Sequence, residues 1–241
     1  MNHADTRADL AAAFRLTARE GMHEGVANHF SMAVNDEGTQ FLINPRRHFS
    51  RIRASDLWVI DANNPESAKG EDAPDPTAWG LHASLHRHVP HARCAMHVHS
   101  TYATVLASLA DSRLPPIDQS SAMFHNRIVI DEHYGGLALE QEGTRCAQMF
   151  QDPSIRTMVM GNHGVLVIGE TVAETFMRMY YFERAVRTYI IALSTGRPLR
   201  ELSPEVAEIT ARQQEGDPQA EADFMRGMRL VLDTESPDYA H

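Results

Sequence analysis

The alternation of short apolar runs with longer segments of helical periodicity constrains the fold more than any other feature of this sequence. The short runs predict strands at 29–34, 40–43, 57–61, 94–99 and 127–130, and two strands joined by a tight turn within 157–169. The longer segments predict helices at 5–21, 77–89, 101–110, 138–150, 171–195, 203–214 and 219–232. We find no repeat, low-complexity tract or linker. The pattern therefore predicts one α/β domain over residues 1–241, with a helical C-terminal extension at 200–241.

Charge and composition limit the partners. The 241 residues carry a net charge of −10, which argues against nucleic acid, since phosphate neutralisation needs a basic surface. No apolar stretch reaches the length of a membrane span, and only two cysteines are present. The only lysine, Lys69, falls in a polar loop, which disfavours Schiff-base and phosphate-loop chemistry. We therefore expect a cytoplasmic protein that binds neither nucleic acid nor membranes.

The His97-Val98-His99 segment is the clearest candidate for chemistry. In a strand, residues i and i+2 point to the same face, so both imidazoles would project together. Such a pair supplies two metal ligands, and a third imidazole would complete a catalytic metal site with an open position. His163, between Gly161 and Gly164 in a predicted turn, is a plausible third ligand. The alternative is that these histidines are ordinary structural residues, satisfied by hydrogen bonds to the backbone.

A second histidine pattern lies on the predicted helix at 77–89. His82 and His86 have the i, i+4 spacing of a zincin, but Ala83 stands where the zincin glutamate would be, which disfavours a metalloprotease. The simplest interpretation of His86, His88 and His91 is a solvated helix end.

Two stretches together resemble the class II aldolase/adducin family. They are PTAWGLHASLHRHVPHARCAMHVHSTYATVLASL at 76–109 and GNHGVLVIGETVAETFMRMYYFERA at 161–185, and the similarity extends over about residues 10–200. The resemblance implies a three-layer α/β domain with a central, mainly antiparallel sheet flanked by helices. It also implies a homotetramer and one divalent metal per subunit, held by His97, His99 and His163.

The sequence departs from the family's sugar-phosphate aldolases at an important segment. Their Ser-Ser-Glu, which binds phosphate and supplies an acid/base, aligns with Pro76-Thr77-Ala78, and Ala78 can do neither. The chain therefore resembles the Thr-Ala subgroup that includes adducin heads, although unlike those heads it keeps all three histidines. Loss of the phosphate-binding serines favours a small anionic carboxylate substrate over a sugar phosphate.

These features predict a metal-dependent lyase. Three neutral imidazoles leave a divalent ion, zinc or else manganese or iron, free to chelate a small hydroxy or oxo acid. Retro-aldol cleavage or decarboxylation would then proceed through a metal-stabilised enediolate or enolate. A non-haem iron oxygenase on the same fold, and a non-catalytic adducin-like scaffold, are the alternatives.

The remaining site residues are candidates of two kinds. His82, one turn after Ala78, is a candidate catalytic acid/base, with His29 and Tyr102 as alternatives. Arg46 and Arg47 could bind a substrate carboxylate, and His29 and Thr77 are further candidate substrate-binding residues.

Overall fold

A central seven-stranded sheet organises the computed structural model, which describes residues 3–133, 135, 136 and 139–241. The strands are β1 (His29–Ala33), β2 (Gln40–Ile43), β3 (Trp58–Asp61), β4 (Cys94–Val98), β5 (Ile128–Asp131), β6 (Thr157–Met160) and β7 (Gly164–Gly169). Their spatial order is β3-β2-β1-β4-β7-β6-β5, and only the β5–β6 pair is parallel. The mainly antiparallel sheet that the family resemblance implies is thus confirmed.

Helices cover both faces of this sheet. They are α1 (Ala4–Arg19), α2 (Pro76–His88), α3 (Thr101–Ala107), α4 (Gln119–Ala122), α5 (Leu139–Met149), α6 (Val172–Ser194), α7 (Pro204–Gln214) and α8 (Pro218–Glu235). Short 3-10 turns occur at Phe49–Arg51, Ala54–Asp56, Pro65–Ala68 and Pro237–Ala240. Among the described residues, no helix combines the length and the apolarity needed to cross a membrane.

The alternation of side chains along the strands assigns each residue to one of two cores. In β4, Met96 and Val98 belong to the larger core with α1, α3 and α6, whereas Ala95 belongs to the core beneath α2 and α5. His97 alternates with Met96 and Val98, and therefore faces the side that α2 and α5 cover. In β1, Phe30 lies in the larger core, so His29 and Ser31 face the same side as His97.

Strand register brings the polar residues of that face together. β4 lies between β1 and β7, with His97 opposite His29 on one side and Leu166 on the other. The turn between β6 and β7 carries His163 beside the end of β4. The sheet therefore brings His29, His97 and His163, from three separate segments of the sequence, to one edge of the core beneath α2 and α5.

Candidate metal centre and substrate cavity

Three histidines converge at the end of β4. His97 lies in β4, His99 follows the strand, and His163 lies on the β6–β7 turn. The Nε2 atoms of His97 and His99 are 2.9 Å apart, and one ring nitrogen from each of the three histidines lies within 4.8 Å of the others. The structure therefore brings together the three predicted ligands in an arrangement that could hold one divalent ion.

Hydrogen bonds orient two of these imidazoles. His97 Nδ1 donates to the carbonyl of Val165 at 3.0 Å, and His99 Nδ1 donates to the carboxylate of Glu24. Each bond uses Nδ1 and leaves the Nε2 lone pair for a metal, the pattern by which outer residues usually fix metal-binding histidines. Glu24 was not predicted, because nothing in its local sequence indicates contact with a residue 75 positions away.

The turn that carries His163 depends on close packing. A Cβ on Gly161 would lie 2.7 Å from the carbonyl oxygen of Asp131, and one on Gly164 would lie 2.5 Å from that of Val98. Neither glycine has a positive φ; the left-handed residue of the turn is Asn162, at φ 58°. The glycines therefore permit close approach to neighbouring strands, and the left-handed conformation of the turn falls on Asn162.

The segment after His99 is anchored by a single carboxylate from α6. Glu183 accepts hydrogen bonds from Ser100 Oγ at 2.6 Å, from the Tyr102 amide at 3.0 Å and from the Ala103 amide at 2.9 Å. These amides begin α3, where a helix favours negative charge. Glu183 thus fixes the path of the chain immediately beyond His99.

Burial keeps two of the three imidazoles, His97 and His163, in the form that binds metal. Desolvation lowers the pKa of His97 well below its usual range and that of His163 to about 4. Because the charged form is disfavoured in this environment, both rings are neutral at pH 7. A neutral imidazole is the form that coordinates a metal ion.

A cavity of about 250 Å³ opens beside the three histidines. Other residues that line it include His29, Arg46, Asp75, Thr77 and Glu142. Of the predicted substrate-binding residues, His29, Arg46 and Thr77 therefore belong to the cavity. Thr77 Oγ1 donates to Asp75 at 2.6 Å, so its hydroxyl is already engaged in capping α2.

Arg47 is placed differently from its neighbour. Its guanidinium lies 2.7 Å from Asp56 and 3.0 Å from Asp72, and it is not among the residues that line the cavity. The side chain of Arg46 is 63% exposed, and its Nε lies 3.8 Å from Asp75. Of the two arginines, only Arg46 is thus placed to meet a ligand in the cavity.

His82 lies behind the cavity wall. It is fully buried, and its Nε2 is 2.7 Å from Nδ1 of His29, which separates it from the cavity. His86 is also buried, bonded to Ser31 at 2.7 Å, so the expected solvated helix end is wrong for this residue. His88 is exposed, as expected. Tyr102 packs beneath Arg187, outside the residues that line the cavity.

Two carboxylates in the cavity wall were missed by the sequence analysis. Asp75 is the N-cap residue of α2, three residues before Ala78, and Glu142 comes from α5. Burial raises the pKa of Asp75, but hydrogen bonds from Thr77 and the nearby His29 and Arg46 outweigh it and lower the pKa overall. Ala78 itself is buried among apolar side chains, so it contributes no polar group.

Glu142 also belongs to a second cluster of potential ligands, with Asp131 and Cys146. Arg145 lies 2.5 Å from both carboxylates and neutralises them. Burial raises the pKa of Cys146 to about 12, so its thiol stays protonated. This cluster is therefore an ion-pair network around an arginine, unlike the group of three histidines.

Two curated relatives are similar to most of the chain. The chain is 28% identical over 218 residues to the decarboxylase NovR of Streptomyces niveus, covering 88% of this chain and 79% of that protein. It is 27% identical over 218 residues to a 4-hydroxy-3-prenylphenylpyruvate oxygenase/4-hydroxy-3-prenylbenzoate synthase of Streptomyces roseochromogenus, covering 88% of this chain and 77% of that one.

A solved structure and a family model cover most of the chain. An aldolase II superfamily protein from Pseudomonas syringae superposes with a TM-score of 0.89 at 25% identity, covering all of this chain and 96% of that one. The family model for the class II aldolase and adducin N-terminal domain matches residues 8–190. The chain therefore belongs to the class II aldolase and adducin family.

Proposed function

We propose that this protein is a divalent-metal-dependent lyase that acts on a small hydroxy or oxo acid by retro-aldol cleavage or decarboxylation. The observation that supports this proposal is the convergence of His97, His99 and His163 on a cavity that also contains Arg46. Three neutral ligands preserve the full charge of a divalent ion, and Arg46 offers a partner for a carboxylate. Membership of a family that includes lyases is consistent with it.

The three histidines suit zinc, and manganese or iron are the alternatives. When bound, the ion would polarise the oxygens of the acid and stabilise negative charge that develops on them. The remaining tasks fall to the protein. Arg46 binds the carboxylate and orients the substrate, while His29 and Asp75 lie in the wall where a proton has to be moved.

The cavity favours a substrate of few atoms. Sites for drug-sized ligands commonly enclose about 300–1,000 Å³, and this cavity, at about 250 Å³, lies just below that range. In the described cavity wall, Arg46 is the only lysine or arginine side chain. One guanidinium and a metal ion suffice to bind a carboxylate, whereas binding of a phosphate dianion usually takes several hydrogen-bond donors.

The test is a screen of metal-loaded protein. Metal content is measured by mass spectrometry, and the zinc, manganese and iron forms are incubated with 2-hydroxy acids, 2-oxo acids and sugar phosphates. We expect one ion per chain and release of carbon dioxide or a carbonyl product from an acid. The His99→Ala variant should lose both metal and turnover, and His88→Ala, an exposed histidine, is its control. Efficient cleavage of a sugar phosphate alone would contradict the proposal.

An oxygenase is a second candidate, favoured by the relative that is named as a prenylphenylpyruvate oxygenase. Iron is bound by sites with open positions of this general kind, although the more familiar set contains a carboxylate. Uptake of oxygen by the iron form, with an acid substrate present, would favour the oxygenase over the lyase. Tight metal binding with no turnover of any tested acid would favour the adducin-like scaffold.

A homotetramer in the cytoplasm is the form in which we expect this lyase to act. The Met-rich part of α6 contributes to the core through Met179, whereas Ile191 and Leu193, nearer the end of the helix, are exposed. The exposed end of α6, and not the part that is buried in the core, is therefore our candidate for a contact between subunits. Light scattering should give a mass near four times 26.9 kDa, and a mass of 26.9 kDa at micromolar concentration would contradict it.

A further inference from the structure

A line of four hydrogen-bonded side chains leads from the cavity wall into the protein. His29 Nδ1 lies 2.7 Å from His82 Nε2, and His82 Nδ1 lies 2.5 Å from Ser31 Oγ. Ser31 Oγ is also 2.7 Å from His86 Nε2, and His86 Nδ1 is 2.8 Å from the carbonyl of Ala92. We call these four residues, His29, His82, Ser31 and His86, the histidine chain.

The carbonyl of Ala92 sets the direction of every bond in the histidine chain. A carbonyl only accepts, so His86 Nδ1 carries a hydrogen and donates it. Burial lowers the pKa of His86 to about 4 and that of His82 well below its usual range, so both rings are neutral at pH 7. A neutral imidazole has one donor and one acceptor, and His86 Nε2 is therefore the acceptor.

The remaining directions follow in turn. Ser31 donates its single hydroxyl hydrogen to His86 Nε2, so its oxygen accepts from His82 Nδ1. His82 Nε2 is then an acceptor, which requires His29 Nδ1 to be the donor. His29, whose ring lines the cavity, keeps Nε2 as its unprotonated nitrogen.

We propose that the histidine chain fixes the tautomer of His29, so that its Nε2 lone pair is the proton acceptor for a substrate hydroxyl in the cavity. His82, Ser31 and His86 are then positioning residues. This inference rests on the proposed lyase function, and it assigns to a strand residue the task that the family glutamate, replaced by Ala78, cannot perform. Among the candidates for this base, it selects His29 over His82, which lies one hydrogen bond further from the cavity.

The proton balance of a retro-aldol step is simple. The substrate O–H bond breaks, an N–H bond forms at His29 Nε2, and the electron pair stays on the substrate oxygen. As that oxygen becomes a carbonyl, the carbon–carbon bond breaks and its electron pair remains on the departing carbon. The proton at Nε2 then passes to that carbon, which restores the original tautomer of His29.

The tautomers can be measured directly by ¹⁵N NMR of histidine-labelled, zinc-loaded protein. We expect His29 to show a protonated Nδ1 and a pyridine-like Nε2. Ser31→Ala removes the link between His82 and His86, and should give His29 a mixed or inverted tautomer. Ser31→Thr keeps a hydroxyl and should restore the wild-type pattern, a rescue that a purely space-filling role of Ser31 does not predict.

Ser84→Ala is the matched control. Ser84 is a buried serine of α2 whose hydroxyl finds no hydrogen-bond partner among the described residues, so its removal should leave the tautomer of His29 unchanged. Circular dichroism and zinc stoichiometry show whether each variant folds and keeps its metal. A wild-type His29 protonated at Nε2, or a Ser31→Ala protein that is folded and keeps the wild-type tautomer, would overturn the proposal.

A second measurement separates this proposal from the proposed function. Glycolate, which has a hydroxyl, and acetate, which lacks one, are added to the zinc-loaded protein. We expect glycolate to shift the Nε2 resonance of His29 and acetate to leave it in place. Shifts at the metal-binding histidines without one at His29 would contradict its role as acceptor. If glycolate shifts no cavity histidine, the assignment of a small hydroxy acid substrate fails, whereas the tautomer result still stands or falls separately.

Discussion

The carboxylate of Glu24 acts on the candidate metal centre through His99, and its contribution can be isolated in a single variant. Glu24→Gln keeps the size of the side chain and removes its charge, so His99 loses basicity and orientation. Outer partners of this kind typically contribute tenfold to hundredfold in metal affinity, and we expect a loss of about that size. Competition with a chromophoric chelator measures it.

Glu20→Gln provides the control for charge alone. Glu20 lies four residues earlier and pairs with Arg19 at 2.8 Å, whereas the carboxylate that contacts His99 is that of Glu24. The Glu20→Gln variant removes one negative charge from the same region of the surface, as Glu24→Gln does. Equal losses of affinity in the two variants would show that net charge, and not the contact with His99, explains the effect.

The two adjacent arginines should behave differently. Arg46→Ala removes the only cavity arginine among the described residues, and should weaken glycolate binding to the zinc-loaded protein by roughly tenfold to a hundredfold, or about 1.5–3 kcal/mol. Arg47→Ala breaks two surface ion pairs, worth at most about 1 kcal/mol each, and should leave glycolate affinity unchanged. Isothermal titration tests both, and equal losses would contradict this assignment.

At the scale of residues, the sequence predicted the convergence of the three candidate ligands better than it predicted their surroundings. Strand periodicity was enough to suggest that His97 and His99 project together, and a Gly-flanked turn drew attention to His163. Glu24, Asp75 and the buried position of His86 depend on which strands become neighbours. That choice is made by tertiary packing, so no local pattern could indicate these three residues.

At the scale of elements, the β6–β7 hairpin is the part of the site with the least room for an added side chain. Gly164→Ala would place a Cβ 2.5 Å from the carbonyl oxygen of Val98 and 3.0 Å from the ring of His99. Backbone atoms cannot yield as a flexible side chain can, so we expect a loss of about 1–3 kcal/mol in the free energy of unfolding. Urea denaturation of the metal-free protein measures this loss, and titration should show weaker zinc binding.

Gly227→Ala in α8 makes the same chemical change where space is available. A Cβ there would meet nothing within 4 Å among the described residues, and α8 would gain about 0.5–1 kcal/mol in helix propensity. We expect Gly164→Ala to lower the free energy of unfolding and Gly227→Ala to raise it. A stabilising Gly164→Ala would show that the hairpin packs less tightly against Val98 and His99 than these distances indicate.

Most element boundaries followed from the sequence, since apolar periodicity and capping residues are local signals. The predicted strand at 40–43 and the predicted helix at 203–214 agree with β2 and α7 to within a residue. The four-residue helix α4 was missed, because it is too short for periodicity and depends on a capping box between Asp118 and Ser121. The mainly antiparallel pairing was implied only by the family resemblance, and the strand order was not predicted, since pairing depends on distant segments.

At the scale of the whole molecule, buried neutral histidines make stability depend on pH. The pKa of His86 falls to about 4 in the folded chain, and burial lowers that of His82 as well. Below about pH 6.5 the unfolded chain takes up protons that the folded chain rejects, so the free energy of unfolding decreases as the pH falls from about 6.5 towards 4. Each such histidine adds at most about 1.4 kcal/mol per pH unit.

Urea titrations with a chelator present, at several pH values, test this expectation. His86→Gln should reduce the slope of stability against pH, because one buried histidine no longer rejects a proton. His88→Gln removes an exposed histidine of the same helix and should leave the slope unchanged. Stability that is independent of pH between 6.5 and 4 would contradict the neutral, buried state of the histidine chain.

The distance in sequence between Glu24 and His99, 75 residues, has a consequence for the supply of metal. The unfolded chain holds these groups far apart, so the assembled site exists only in the native state. By mass action, free metal at a hundred times its dissociation constant would then stabilise that state by about 2.7 kcal/mol. Scarcity of the ion would accordingly reduce the amount of intact protein through turnover of unfolded chains, in addition to emptying its sites.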